Sequence, residues 1–325
     1  MHNAQHGVQA DRGVFVTRVV ANDALCDEHF RLRLSCDTFP EARVGQFVQL
    51  LCHRPGDGDP SIHVHDWTGA PWPIAQATTN TQRVSMLRRA FSIADLERDA
   101  GGVTLDVIHR VVGVGTRWLA GLGPGDAVSV LGPLGGGTFT ISETRTHAYL
   151  VSGGVGFPPM IWLAKELTAA GKRVVSFFGA QTERLVPLAL PSGVRLSDDA
   201  TWATADVSPF GEAGVPVVVS TDDGSVGLRG WVTDAMNRYD EANPVDPSEL
   251  VVYTCGPEPM MKAVATWCAR RDIDCQVCME RNMACGMGTC QSCVVPCREG
   301  KLDDAWRYRL CCSDGPVFDR RVLVW

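Results

Sequence analysis

No apolar run in the 325-residue sequence approaches the ~18–20 residues that a helix needs to cross a bilayer. The best candidate, "AYLVSGGVGFPPMIWLA", is interrupted by glycines and prolines, so no membrane-spanning helix is expected. The N-terminal "MHNAQHGVQADRG" lacks the basic and apolar stretches of a secretory signal, which predicts a cytoplasmic protein. Positive charge is also short: 30 Lys and Arg stand against 37 Asp and Glu, for a net charge of −7, and no basic block occurs. That removes the electrostatic footprint of a nucleic-acid binder or of a protein drawn to anionic membrane. Internal repeats and low-complexity tracts are absent too. What remains, 45% hydrophobic and 21% charged residues with a mean hydropathy of −0.01, describes a soluble globular chain with a sizeable core. At roughly 100–200 residues per compact unit, the length predicts two or three domains.

Cysteine, by contrast, is abundant. Thirteen are present, three before residue 60 and ten after residue 254. An odd, clustered set in a reducing compartment reads as metal ligation rather than disulfide bonding.

Three rhythms divide the chain. Residues 11–144 carry short alternating stretches, "VFVTRVV", "FRLRLS", "QFVQLLC", "VTLDVIHRVV" and "AVSVLGPL", which predict an antiparallel β-barrel. A Pro-, Gly-, Asp- and Thr-rich segment at 53–85 interrupts it as a surface insertion. Its His63-x-His65-Asp66 triplet reads as solvated polar residues rather than a metal site. Residues 145–272 alternate apolar strands with helical periods, which predicts a parallel α/β sheet, and residues 273–325 are loop-dominated and rich in cysteine.

Within "MACGMGTCQSCVV", Cys285-x4-Cys290-x2-Cys293 has the plant-type spacing for a [2Fe–2S] cluster. Gly286 and Gly288 let the backbone wrap closely and offer N–H donors to sulfur. The fourth thiolate must come from "YRLCCSDGPVF", where an extended backbone aims only one of Cys311 and Cys312 inward. A structural zinc site built on Cys275-x2-Cys278 and Cys290-x2-Cys293 is the rival. Its gap of 11 residues is short of the usual ~15–20. Moreover "DCQVCMER" reads as a strand, where positions three apart face opposite sides, and zinc leaves Cys285 unexplained. Cys26, Cys36, Cys52, Cys255, Cys268, Cys275 and Cys278, with Cys297 and Cys311, read as buried apolar cysteines.

A cluster carries single electrons and a nicotinamide exchanges a hydride, so a flavin converter is expected between them. In "LRRAFSIAD", Arg89 supplies a cation for a pyrophosphate, Phe91 an aromatic face and Ser92 a hydroxyl for a ring nitrogen. In "HRVVGVGTRWL", His109 and Val111 lead into a turn at Gly113, Gly115 and Thr116, before a helix predicted to start near Arg117. Amide groups at such a helix start favour phosphate. His109, Val111, Gly115 and Thr116 therefore join Arg89, Phe91 and Ser92 as candidate cofactor-binding residues.

For the nicotinamide, "LVSGGVGFPPM" runs from strand through Gly153, Gly154 and Gly156 into a helix that starts with Pro158 and Pro159. "VVYTCGPEPMM" brings Cys255, Gly256 and Pro257 to a second strand end, and open α/β sheets bind ligands beyond such ends. The string departs from GxGxxG and no acidic residue ends "SFFGAQTER", so NAD and NADP both remain open, with Arg184 nearby.

The ordered set "RRAFS", "GVGT", "GPLGGG", "SGGVGFPPM", "CGPEPMM", "MACGMGTCQSC" and "CSDGPVF" resembles the ferredoxin reductase-like family. More narrowly, "MACGxGxC" with "CxDGPVF" resembles the electron-transfer subunits of NAD-dependent dihydroorotate dehydrogenases. The resemblance covers roughly residues 13 to 320 apart from the insertion. It implies an FAD-binding barrel, a pyridine-nucleotide domain and a C-terminal [2Fe–2S] domain. It places FAD at Arg89, Phe91 and Ser92, its phosphates at Gly115 and Thr116, and the fourth ligand at Cys312. Phe91 stands where flavin reductases often have Tyr, and Ala90 where this subfamily usually has Pro. It further implies NAD as the exchangeable substrate and an FMN-containing, dihydroorotate-oxidising partner in a hetero-oligomer serving pyrimidine synthesis. No general acid or base is needed on that path, so no catalytic residue is assigned. Two other readings predict different outcomes: a reductase subunit delivering NAD(P)H electrons to a ferredoxin, hydrogenase or sulfur-reducing partner, and a zinc-stabilised binding module. Trp325 follows the cluster segment and is expected to pack with "VLVW".

Overall fold

The computed structural model describes residues 12–53, 87–189, 207–299 and 305–325. The insertion, apart from His53, and its His63, His65 and Asp66 lie outside the described residues.

Six strands close an antiparallel barrel: β1 (Gly13–Cys26), β2 (His29–Cys36), β3 (Phe47–Leu50), β4 (Arg89–Asp99), β5 (Gly102–Arg110) and β6 (Ala127–Leu134), in the order β1-β2-β5-β4-β3-β6. The period-2 pattern explains which side chains fill it. Leu32 and Leu34 of β2 and Val103, Leu105 and Val107 of β5 are buried. The intervening Arg31 and Arg33 lie on the other face and clasp Asp106 at 2.5 and 2.9 Å. A short helix, α1 (Val114–Ala120), joins β5 to β6. It starts three residues before the expected Arg117, because the Thr116 hydroxyl accepts the Val112 and Gly113 amides and closes the first turn earlier.

The second unit is a sheet of β7 (His147–Gly153), β8 (Arg173–Ala180), β9 (Val217–Thr221), β10 (Leu228–Arg229), β11 (Leu250–Cys255), β12 (Asp274–Cys278) and β15 (Val317–Asp319), in the order β10-β9-β8-β7-β11-β12-β15. All pairings are parallel except β12 with β15. β9 and β11 are buried throughout, as strands covered on both faces must be. α2 (Pro158–Ala169) covers one face and α3 (Val232–Ala242) and α4 (Glu258–Arg270) the other. α2 is buried from Pro158 to Ala164 and at Leu167, because the barrel packs on its outer side. Its exception, Lys165, reaches the buried Asp95 of β4 at 2.5 Å.

The sheet runs across the 272/273 division read from the sequence. Asp274–Cys278 extends the parallel sheet beside β11, and Val317–Asp319 returns to pair with it. The strand expected in "DCQVCMER" is present, but it belongs to the parallel sheet rather than to the cysteine-rich segment. Between them lie the cysteine loop and a two-stranded hairpin, β13 (Val294–Arg298) with β14 (Trp306–Leu310). Trp325 packs at the edge of this core, as expected from "VLVW". No helix among the described residues is long and apolar enough to cross a membrane.

Candidate flavin cavity and iron–sulfur centre

A cavity of about 1460 Å³ opens where the barrel, the sheet and the cysteine loop meet. From the barrel it is lined by Arg89, Phe91, Ser92, His109, Gly115 and Thr116, six of the seven residues singled out there. Val111 is not part of the wall: its amide donates to the Glu28 carbonyl at 2.7 Å, and its neighbours Arg110 and Val112 face the cavity instead.

The wall has the chemistry of a flavin site. Arg89 donates to the Leu87 and Arg88 carbonyls and makes no ion pair among the described residues, which leaves a cation open to a phosphate. His109 is 1% exposed, yet neither ring nitrogen has a partner. Burial, aided by nearby His29, lowers its pKa to about 4, so it is neutral at physiological pH. An unsatisfied buried nitrogen on a cavity wall costs ~1–3 kcal/mol until a ligand bonds to it. Phe91 meets the His109 ring edge-on at 6.0 Å. The first amides of α1 have no acceptor within the helix, and Gly113 to Thr116 line the cavity. FAD fits this donor set.

The sheet contributes Val155, Pro158 and Cys255 to the opposite wall. The turn at Gly153, Gly154 and Gly156 and the turn at Cys255, Gly256 and Pro257 follow neighbouring strands, since Ser152 is the register partner of Cys255. They touch: a Cβ on Gly156 would lie 2.2 Å from the Cys255 carbonyl oxygen. Of these six residues only Cys255 lines the cavity. The α2 start is a poor phosphate donor, because Pro158 and Pro159 lack N–H groups and the Met160 amide bonds to Phe157. A Cβ on Gly153, Gly156 or Gly256 would lie 2.2–2.8 Å from neighbouring atoms, so these three permit the close packing of the two turns, whereas Gly154 has open space around it. Arg184 is held by Asp27 of the barrel at 2.6 Å.

The third wall comes from Cys278, Met279, Glu280, Arg281, Asn282, Met283, Ala284, Ser292 and Pro316. Apart from Cys278, read as structural, these residues escaped the sequence reading. For Met279–Ala284 the available signal was position, since they lead directly into Cys285. Glu280 is open to the cavity but otherwise enclosed by protein, and desolvation raises its pKa against a weaker opposing bond from the Cys255 thiol. That thiol lies 3.9 Å from Glu280 Oε1.

Cys285, Cys290, Cys293 and Cys312 come together as two pairs. The Cys290 amide donates to Cys285 Sγ at 3.3 Å, and the Cys312 amide to Cys293 Sγ at 3.4 Å. Gly286 and Gly288 have φ of +70° and +90°, and a Cβ on Gly286 would strike the Gln49 side chain, whose Nε2 donates to the Ala284 carbonyl. Cys312 is raised to about 12 by burial, by its bond to Cys293 and by the Cys293 charge, with Cys285 adding to the effect. The exposed Cys290 is lowered to about 6, first by the Ser292 hydroxyl. Cys311 points away, its thiol on the Met279 carbonyl at 3.2 Å. No three His, Cys, Asp or Glu among the described residues are placed to hold one metal ion. Two thiol pairs with amide donors to sulfur suit a binuclear iron–sulfur cluster. Of the cysteines expected to be buried, Cys26 and Cys36 are half-buried and the other seven are buried.

Comparison with known proteins agrees with this layout. Residues 280–324 match the iron–sulfur cluster binding domain of dihydroorotate dehydrogenase B, residues 19–137 the siderophore-interacting FAD-binding domain, and residues 150–266 the oxidoreductase NAD-binding domain. Among solved structures, an NADH-dependent reduced ferredoxin–NADP oxidoreductase superimposes with a TM-score of 0.68 at 23% identity, over 96% of this chain and 91% of that one, which establishes the fold. The fold and the site together define an NAD-linked oxidoreductase subunit that uses FAD and an iron–sulfur cluster.

The electron transfer subunit of dihydroorotate dehydrogenase B (NAD(+)) from Fusobacterium nucleatum is 32% identical over 294 residues, which is 90% of this chain and 95% of the relative. The corresponding subunit from Bacillus caldolyticus is 38% identical over 74% of this chain and 80% of its own length. The chain belongs to this family of electron transfer subunits.

Proposed function

We propose that this chain takes electrons from an FMN-containing, dihydroorotate-oxidising catalytic subunit and delivers them to NAD+, as one component of a cytoplasmic hetero-oligomer. The observation that carries the reading is the shared cavity: the candidate flavin residues lie on one wall, and Ala284, next to Cys285, lies on another.

Bound FAD supplies the exchange between hydride chemistry and single-electron chemistry. Arg89 neutralises its pyrophosphate with the first amides of α1, beside Gly115 and Thr116. Phe91 and Ser92 position the ring, and neutral His109 offers one donor and one acceptor to its polar edge. Cys255 and Glu280 border the space left for the nicotinamide. Gly153, Gly154, Gly156, Gly256 and Pro257 let the dinucleotide approach the strand ends closely. Arg184, the cation that follows β8, pairs with Asp27 at the surface, and the choice of NAD rests on the family to which the chain belongs. Cys285, Cys290, Cys293 and Cys312 would hold the irons, with the Cys290 and Cys312 amides donating to the Cys285 and Cys293 sulfurs.

The test is anaerobic capture of the tagged chain from its own host with whatever binds it, followed by a dihydroorotate-dependent NAD+ reduction assay. The reading expects activity that Cys312→Ser abolishes. Captured material that holds flavin and iron yet ignores dihydroorotate overturns the choice of partner.

A further inference from the structure

Cys255 ends β11 and Cys278 ends β12, and the two are direct register partners on adjacent parallel strands. Partners at one register position send their side chains to the same face, and neighbouring strands lie ~4.7–4.9 Å apart. That spacing falls inside the ~4.4–6.8 Å between Cα atoms that a disulfide accepts. Both residues belong to one buried cluster, at 1% and 2% exposure, and both line the cavity. Neither belongs to the iron–sulfur ligand set. Cys268 and Cys275 form a comparable buried pair that does not line the cavity, so what sets Cys255 and Cys278 apart is their place on its wall.

We propose that Cys255 and Cys278 form a redox-active dithiol that closes to a disulfide when hydrogen peroxide, the two-electron oxidant made where reduced flavin meets dioxygen, enters the cavity. The first step is attack of the Cys278 sulfur on peroxide: an S–O bond forms, the O–O bond breaks, and one water leaves behind a sulfenic acid. The Cys255 sulfur then attacks that sulfur. An S–S bond forms, the S–O bond breaks, and the second water leaves with the Cys255 proton. In sum one peroxide is reduced to two waters while two thiols are oxidised. The order follows from the geometry: the Cys255 thiol is directed at Glu280 Oε1, 3.9 Å away, so it resolves rather than initiates. The closed disulfide removes the S–H that faces Glu280 and clamps the ends of two central strands. The proposal needs the cavity and the two thiols, and it stands whichever protein donates electrons to the chain.

The test uses the complete protein with its cofactors. It is exposed to increasing hydrogen peroxide, its free thiols are alkylated, and it is digested without reduction for mass mapping. Samples are scored only while they keep their iron, which separates the dithiol from damage to the cluster ligands. The expected result is a cross-linked peptide pair joining Cys255 to Cys278, lighter by two hydrogens and reopened by dithiothreitol. In Cys278→Ser the link disappears. If that variant fails to fold, the map of the unmodified protein decides alone. The proposal is overturned if both thiols are recovered alkylated at peroxide levels that oxidise other cysteines, or if either one is linked to Cys311 instead.

Discussion

Acidification gives a direct check on the environment of His109. Its pKa is lowered by burial to about 4, against 6.5 for an exposed imidazole. Between those values the unfolded chain binds a proton that the folded chain refuses. Stability is therefore untouched above pH ~6.5, falls as pH drops through the window, and levels off below pH ~4. At pH ~5, about 1.5 units below the unfolded value, the loss from this residue is about 2 kcal/mol. For a protein of this size that lowers a thermal midpoint by roughly 3 °C. The assay is the midpoint of heat-induced flavin release at about pH 7.5 and about pH 5, for the parent and for His109→Leu. Leucine removes the titration, so the variant loses roughly 3 °C less on acidification. Its flavin is also held about tenfold more weakly, because a hydrogen bond of ~1–1.5 kcal/mol to the ring is gone. The comparison between pH values is made within each protein, so this weaker binding cancels. Equal acid losses in parent and variant would refute the reasoning.

Three further outcomes follow from specific contacts. Lys165→Met strips the 5% exposed Asp95 carboxylate of its 2.5 Å partner; since Lys165 is 29% exposed and water can enter, we expect a loss of about 2 kcal/mol in urea unfolding, below the ~3–5 kcal/mol of a fully enclosed pair. A change under ~0.5 kcal/mol means the ion pair contributes nothing to docking α2 on the barrel. Gly156→Ala drives a Cβ toward the Cys255 carbonyl, so rapid-mixing kinetics should show flavin reduction by NADH slowed at least ~10-fold at unchanged flavin content. A normal rate contradicts the place given to this turn. Iron content and the paramagnetic signal of the reduced cluster separate the adjacent cysteines: Cys312→Ser should lose the signal and Cys311→Ser keep it, and the reverse result exchanges their roles.

Much of this arrangement was legible because it follows local periodicity. Leu32, Leu34, Leu105 and Val107 alternate with polar neighbours as barrel strands do, and the sheet announces itself through apolar runs such as "LVVYTC". Strand alternation was the wrong reason for separating Cys311 from Cys312: β14 ends at Leu310 and both lie in the turn that follows, where the Cys311 thiol rests on the Met279 carbonyl and the Cys312 amide donates to Cys293 Sγ. Where the reading slipped, a local cue was outweighed. Glycines at 113 and 115 delayed the expected start of α1, although the Thr116 hydroxyl closes its first turn. Cysteine density drew Asp274–Cys278 out of the sheet it extends. Proline at 158 and 159 marked the helix start correctly while removing the amides that a phosphate there requires.

The rest was hidden because the cavity is a product of contacts distant in sequence. Gln49 of β3 bonds to the Ala284 carbonyl across 235 positions, and Arg184 reaches Asp27 across 157. The glycine loop after β6 is tied to the segment that follows Cys312, with the Gly137 amide on the Gly315 carbonyl at 2.8 Å. Two of these contacts join the barrel to the cysteine-rich part and the third joins the barrel to the sheet, and the flavin residues face Met279–Ala284 in that docked arrangement. A ligand filling that space therefore binds the docked arrangement in preference to any separated one, and by mass action its affinity stabilises every junction at once. Flavin retention and cluster retention are then two readings of one docking equilibrium. A substitution that loosens the barrel from the cysteine loop weakens both, even where it touches neither cofactor.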